Sequence, residues 1–151
     1  MSPGIQELMK ELSTRQPLPS LAPPGVYSSD TASAIEGLDV GKGVKAALHL
    51  LNDDINRCHN IAQSNEGVPT FDYLHAVLHR REQDCWNSKW WFNRISHPLI
   101  KELYRDMTPQ KFVDEVEKAV RTQDKAKLEI LAERQMQEMV KLAEYAMENE
   151  L

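Results

Sequence analysis

FDYLHAVLHRREQDCWNSKWWFNRISHP, residues 71 to 98, is the stretch on which the fold turns. From Phe71 to about Gln83, Leu74, Val77, Leu78 and the stem of Arg81 recur at helical spacing and share one side. Asp84 is the predicted cap of a second helix, because a short carboxylate there accepts from the first unpaired backbone N–H groups. That helix places Ser88, Trp91, Phe92 and Ile95 on its inner stripe. Ser96-His97-Pro98 ends it, since proline pushes the residue before it out of the helical region. The prediction is a tight helical hairpin.

Upstream, Val44, Ala47, Leu48, Leu51, Ile55, Cys58 and Ala62 fall on one face, with Asn52, Asp53, Asn56 and Arg57 off it. This pattern predicts one core-facing helix from Val44 to Ala62, stopped by the turn around Gly67 and Pro69. Downstream, a short helix carries Leu99, Ile100, Leu103 and Tyr104, and Thr108-Pro109 opens another with Phe112, Val113, Val116 and Val120 inward. Asp124 caps the last and longest helix, in which Met136, Met139 and Met147 are read as core filler. At the front, Ser2 can cap a short helix bearing Ile5, Leu8, Met9 and Leu12, and Pro17, Pro19, Pro23 and Pro24 make an extended linker. Nothing reads as a strand. The expectation is an all-α, single-domain bundle of five or six helices with a central hairpin: residues 1–38 form a short amphipathic segment plus linker, and 39–151 the bundle. On that division, removing residues 1 to 25 should leave the bundle folded.

The chain of 151 residues is 41% hydrophobic and 27% charged, the balance of one soluble domain. Its net charge of −5 argues against nucleic acid as a partner, and residues 71 to 104 hold only five Lys/Arg against four Asp/Glu. No apolar run reaches the roughly 18 to 20 residues that span a bilayer, and the first residues lack a signal-peptide layout. Cys58 and Cys85 form neither a paired framework nor a C-x-x-C motif, which suggests a reducing compartment, cytoplasmic or nuclear.

Chemistry concentrates in the hairpin. His75, His79 and Glu82 stand at i, i+4 and i+7, so two imidazoles and a carboxylate converge beside the apolar stripe. Such a set can hold a divalent metal, with His59 arriving from the neighbouring helix as a fourth group. The H-E-x-x-H form is absent, because Ala76 follows His75, and Arg80 and Arg81 bring positive charge into the motif. Two other readings stay open. The histidines and Glu82 can make structural hydrogen bonds to backbone, Tyr73 or Arg81, or Arg80, Arg81, His79 and Lys89 can bind a small anion. Trp86, Trp90, Asn93 and His97 mark a second face on the Trp91 helix, predicted to be covered, either by the chain's own helices or by a partner. Cys58 reads as core, and Cys85 as more exposed beside Asp84. There is no glycine-rich phosphate loop and no G-x-S-x-G elbow.

The string from Tyr73 to Pro98 resembles a motif of an uncharacterised family of small bacterial and fungal proteins, His-Ala-x-x-His-Arg-Arg-Glu leading through Asp and Asn to an aromatic pair, Arg and His-Pro. The matching residues are His75, Ala76, His79, Arg80, Arg81, Glu82, Asp84, Asn87, Trp91, Phe92, Arg94, His97 and Pro98, with His59 and Gln63 upstream. The chain departs from the motif at Gln83, where glycine is expected, and at Ser88, where alanine is expected. No established activity comes with this family, so the resemblance implies no reaction. The same string is similar to one hairpin of a tetratricopeptide-type repeat, through Leu74, Leu78, Asp84, Trp91 and Phe92, but such arrays need about three units.

Together these features predict a binding or scaffold module with a polar His/Arg/Glu pocket beside an aromatic-rich hairpin, taking a protein partner or a small anionic ligand. The ligand-binding candidates are His59, His75, His79, Arg80, Arg81, Glu82, Asn87, Trp90, Arg94 and His97. The alternative is a metal-dependent or small-ligand enzyme using His59, His75, His79 and Glu82, with a divalent metal as cofactor.

Overall fold

A computed structural model describes residues 3–151, and among them the chain forms nine α-helices and no strand. In order they are α1 (Ile5–Ser13), α2 (Ser29–Glu36), α3 (Lys42–Leu51), α4 (Ile55–Gln63), α5 (Pro69–Arg81), α6 (Cys85–Phe92), α7 (Pro98–Leu103), α8 (Pro109–Thr122) and α9 (Lys125–Glu148). The local chemistry accounts for most starts. Proline opens α5, α7 and α8, where its fixed φ suits the first turn and its missing N–H costs nothing. Side chains of Ser28, Asp54, Asp84, His97, Thr108 and Asp124 accept from free backbone N–H groups at their helices.

The hairpin is the pair α5 and α6, as the sequence predicts, with Asp84 Oδ1 accepting from the Asn87 N–H at 3.3 Å. α5 packs on α4 and α6, α6 rests on α8, and α3 touches α1, α2, α4, α5 and α9. The main core fills the space between them with Leu48, Leu51, Leu74, Leu78 and Leu142, all fully buried. A second cluster of Leu21, Phe112, Val116, Ala119 and Leu131 lies under α8 and α9.

Four expectations are corrected. The predicted Val44–Ala62 helix is two helices, broken at Asn52-Asp53-Asp54, where Asp53 takes φ 58° and Asp54 caps α4. Three short polar side chains in a row favour local backbone bonds over helix, and Asp tolerates the left-handed region better than most residues. The apolar periodicity ran through the break because both helices face one core. Second, α2 was unforeseen and nine helices replace five or six; its signal was the Ser28 cap, whose Oγ accepts from Thr31 N–H at 3.1 Å. Third, α6 ends at Phe92, so the second aromatic face does not continue to His97, and the chain's own helices do not cover Trp86, which is 73% exposed. Fourth, Cys85 is buried, and burial together with a hydrogen bond to Glu117 pushes its thiol up to about 12.

The front of the chain belongs to the core. The predicted Ser2 cap lies outside the described residues, and Gly4 is the residue that precedes α1. Leu8 and Leu12 are fully buried, each contributing about 1.5–3 kcal/mol. Residues 14–27 hold no helix, as the prolines predict, yet Arg15 is buried against Asp53 at 2.9 Å and donates to the Leu51 carbonyl. The Ser20 carbonyl accepts from both Arg81 and Gln135. At the other end, the Leu151 carbonyl accepts from Gly43 N–H at 3.0 Å on the first turn of α3. A Cβ on Gly41 would stand 1.9 Å from that oxygen, so glycine is required there.

Candidate metal centre

The helical period of α5 brings His75 and His79 one above the other, and α4 lays His59 against them. Ring centroids are 4.8 Å apart for His59 and His75, 5.5 Å for His59 and His79, and 4.8 Å for His75 and His79. One donor nitrogen from each lies within 4.8 Å of the others. With nitrogen about 2.0–2.1 Å from a tetrahedral zinc, donors sit roughly 3.4 Å apart, so the three rings have to draw closer together for one ion to bind them all.

The two histidines of α5 have different surroundings. His79 Nδ1 meets Glu82 Oε1 at 2.5 Å, which fixes the orientation of the ring. A carboxylate behind a histidine in this way is the usual orienting partner of a metal ligand. His75 is 3% exposed and its ring is stacked on Trp91, centroids 4.2 Å apart. Its Nδ1 is buried with no partner. Burial, then the neighbouring His79 and His59, pushes His75 down to about 4, so it is a neutral imidazole with a lone pair at neutral pH.

The remaining candidates divide. Glu82 reaches His79 but does not join His59 and His75: with Asp84, which the sequence predicts only as a cap, it forms a second group around His79. Arg80 and Arg81 are fully buried and point elsewhere. Arg80 pairs with Glu138 at 2.7 Å, and Arg81 pairs with Asp53 at 2.5 Å while donating to the Leu50 and Ser20 carbonyls. Glu138 matches the charge of Arg80, whereas Arg81 shares the one carboxylate of Asp53 with Arg15. Asn87 donates to Asp84 Oδ2, and Arg94 stacks over Trp90 at 3.5 Å. His97 is apart from the cluster: its Nε2 meets Thr70 Oγ1 at 2.9 Å and its Nδ1 accepts from Leu99 N–H. Tyr73, named as a structural partner for the histidines, donates instead to Glu138 at 2.6 Å.

Sequence reasoning missed two hubs. Glu138 accepts from Tyr73, Tyr104 and Arg80, and Asp53 holds Arg15 and Arg81. Glu138 lies in a charged stretch of α9 and Asp53 off the apolar stripe, so neither carried a signal of burial.

No family model, curated protein or solved structure matches the chain. Among the described residues no helix is long and apolar enough to cross a membrane.

Proposed function

We propose that this chain is a binding module whose ligand is a divalent transition-metal ion held by His59, His75 and His79. The observation that carries the reading is His75, a nearly fully buried imidazole whose Nδ1 has no partner, within a group of three donors. A metal ion is a partner that three converging imidazole nitrogens can share. Imidazole donors without thiolate suit zinc, copper, nickel or iron. Glu82 then orients His79, and Glu138 neutralises Arg80, which reduces its opposition to the cation.

Protein purified without a histidine tag, stripped with chelator and reloaded with zinc, tests this by elemental analysis and calorimetry. Stoichiometric uptake is expected, abolished in His75→Ala and His79→Ala, with Trp91 fluorescence changing on loading because its ring stacks on His75. Wild-type protein that retains no zinc and gives no heat overturns the reading.

A scaffold role has one observation of its own in Trp86, 73% exposed on α6. A photo-crosslinking side chain at residue 86 should trap one dominant protein in cells; an even smear of products removes this second reading.

A further inference from the structure

The three imidazoles leave one position of a tetrahedral ion unfilled, and the rest of the site decides what fills it. Among the described residues no further imidazole or thiol joins the group. Cys58 and Cys85 are both buried, and neither joins the group. His49 is buried beside Glu36 and Asp54, and His97 is bonded to Thr70. The carboxylates are engaged as well: Glu82 Oε1 holds His79 Nδ1, and the two oxygens of Asp84 accept from the backbone and side chain of Asn87 at 3.3 and 3.1 Å.

The site is also asymmetric in its access to water. His75 and His79 form a buried inner wall, whereas His59 is half-exposed and the Glu82 side chain 40% exposed. Glu82 further lines a surface cleft of about 260 Å³ with Pro24, Val26, Asp53, Asn56 and Arg81. Three neutral imidazoles leave the full double positive charge on a bound ion, which favours an anion at the fourth position.

We infer that the metal keeps an exchangeable fourth position, held by water at rest and open to small anionic oxygen or nitrogen donors of carboxylate size. The inference rests on the metal-binding reading above. Three protein ligands plus water is the arrangement of zinc sites that act on a bound molecule, while sites that only hold a fold are closed by four protein ligands.

Cobalt(II) loaded into the stripped protein makes the coordination visible by its absorption bands. Titration with azide, then with acetate, should shift those bands saturably. Loaded protein whose bands ignore both anions overturns the open position and leaves the metal reading standing; failure to take up cobalt overturns both. A closed site has its own signature: Glu82→Ala becomes responsive to azide where the native protein is not, and that outcome shows Glu82 to be the fourth ligand and also overturns the inference. Glu82 lies at the exposed end of α5, and circular dichroism of the variant checks that it stays folded.

Discussion

At the scale of single residues, the buried charges matter more to stability than the imidazole cluster does. Asp53 is held between the Arg15 and Arg81 guanidinium groups, all three nearly excluded from water. Asp53→Asn keeps the side chain's shape and its tolerance of positive φ, but leaves two buried cations without a carboxylate. A loss of about 3 kcal/mol is expected in urea denaturation. Breaking the exposed Lys89–Asp114 pair by Lys89→Met should cost less than about 1 kcal/mol in the same experiment. The buried histidines set a pH dependence of the metal-free protein. His75 is pushed down to about 4 from 6.5, and burial lowers His49 and His97 as well, although Asp54 and Glu36 pull His49 the other way. Between the unfolded value of 6.5 and the folded one, the unfolded chain binds more protons, so stability falls as pH drops through this window and is level above it. Melting temperatures from pH 8 to pH 4.5 check the sign; a melting temperature that rises on acidification contradicts it. The pairing of His75 with His79 was legible in the sequence, because helical spacing puts them on one face, whereas Glu82 lies past the end of α5 and reaches His79 alone. The burial of Asp53 and Glu138 was not, because a carboxylate's partner can come from any element and one sequence does not reveal which.

At the scale of elements, turns decided what the apolar pattern could not. The hairpin was legible because Asp84 caps α6 and the stripes of α5 and α6 each keep their period. The break between α3 and α4 was not, since residues on both sides share one core and only Asn52-Asp53-Asp54 marks it. The turn between α5 and α6 adds its own detail: Gln83 adopts φ 65°, a left-handed conformation that disfavours residues with a Cβ. The resembled motif has glycine at this position. Gln83→Gly should remove that strain at the expense of the bond from Gln83 Nε2 to the Arg80 carbonyl and of unfolded-chain entropy. A net gain of about 0.5–1 kcal/mol is expected by chemical denaturation, with zinc uptake unchanged. A destabilised variant would show that the side-chain bond outweighs the backbone preference.

At the scale of the whole molecule, both ends of the chain are built into the bundle. The amphipathic stripe of α1 was legible, but whether it docked was not, since a short helix can be satisfied by its own body or by another surface. The structure supplies the reason it docks here: Leu8 and Leu12 enter the main core, and Arg15 completes the Asp53 cluster. Deleting residues 1–25 should therefore abolish the cooperative thermal transition, not merely lower its midpoint, because it opens the core and removes the Ser20 carbonyl that buried Arg81 and Gln135 donate to. A truncated chain that still melts cooperatively would return residues 1–25 to the status of an appendage.

α4 stands apart in this architecture. It is short, it buries only Cys58 and Ala62 along its length, and it packs on α3 and α5, yet it carries the one histidine that the inner wall lacks. Such a segment opens more readily than the body that holds it, so its amides should exchange with solvent deuterium well before those of α3. An ion shared by His59, His75 and His79 would be a tether from this sparsely buried helix to the heavily buried α5. The slowing of exchange on loading should then be confined to α4, making hydrogen exchange a record of which helix the metal holds in place.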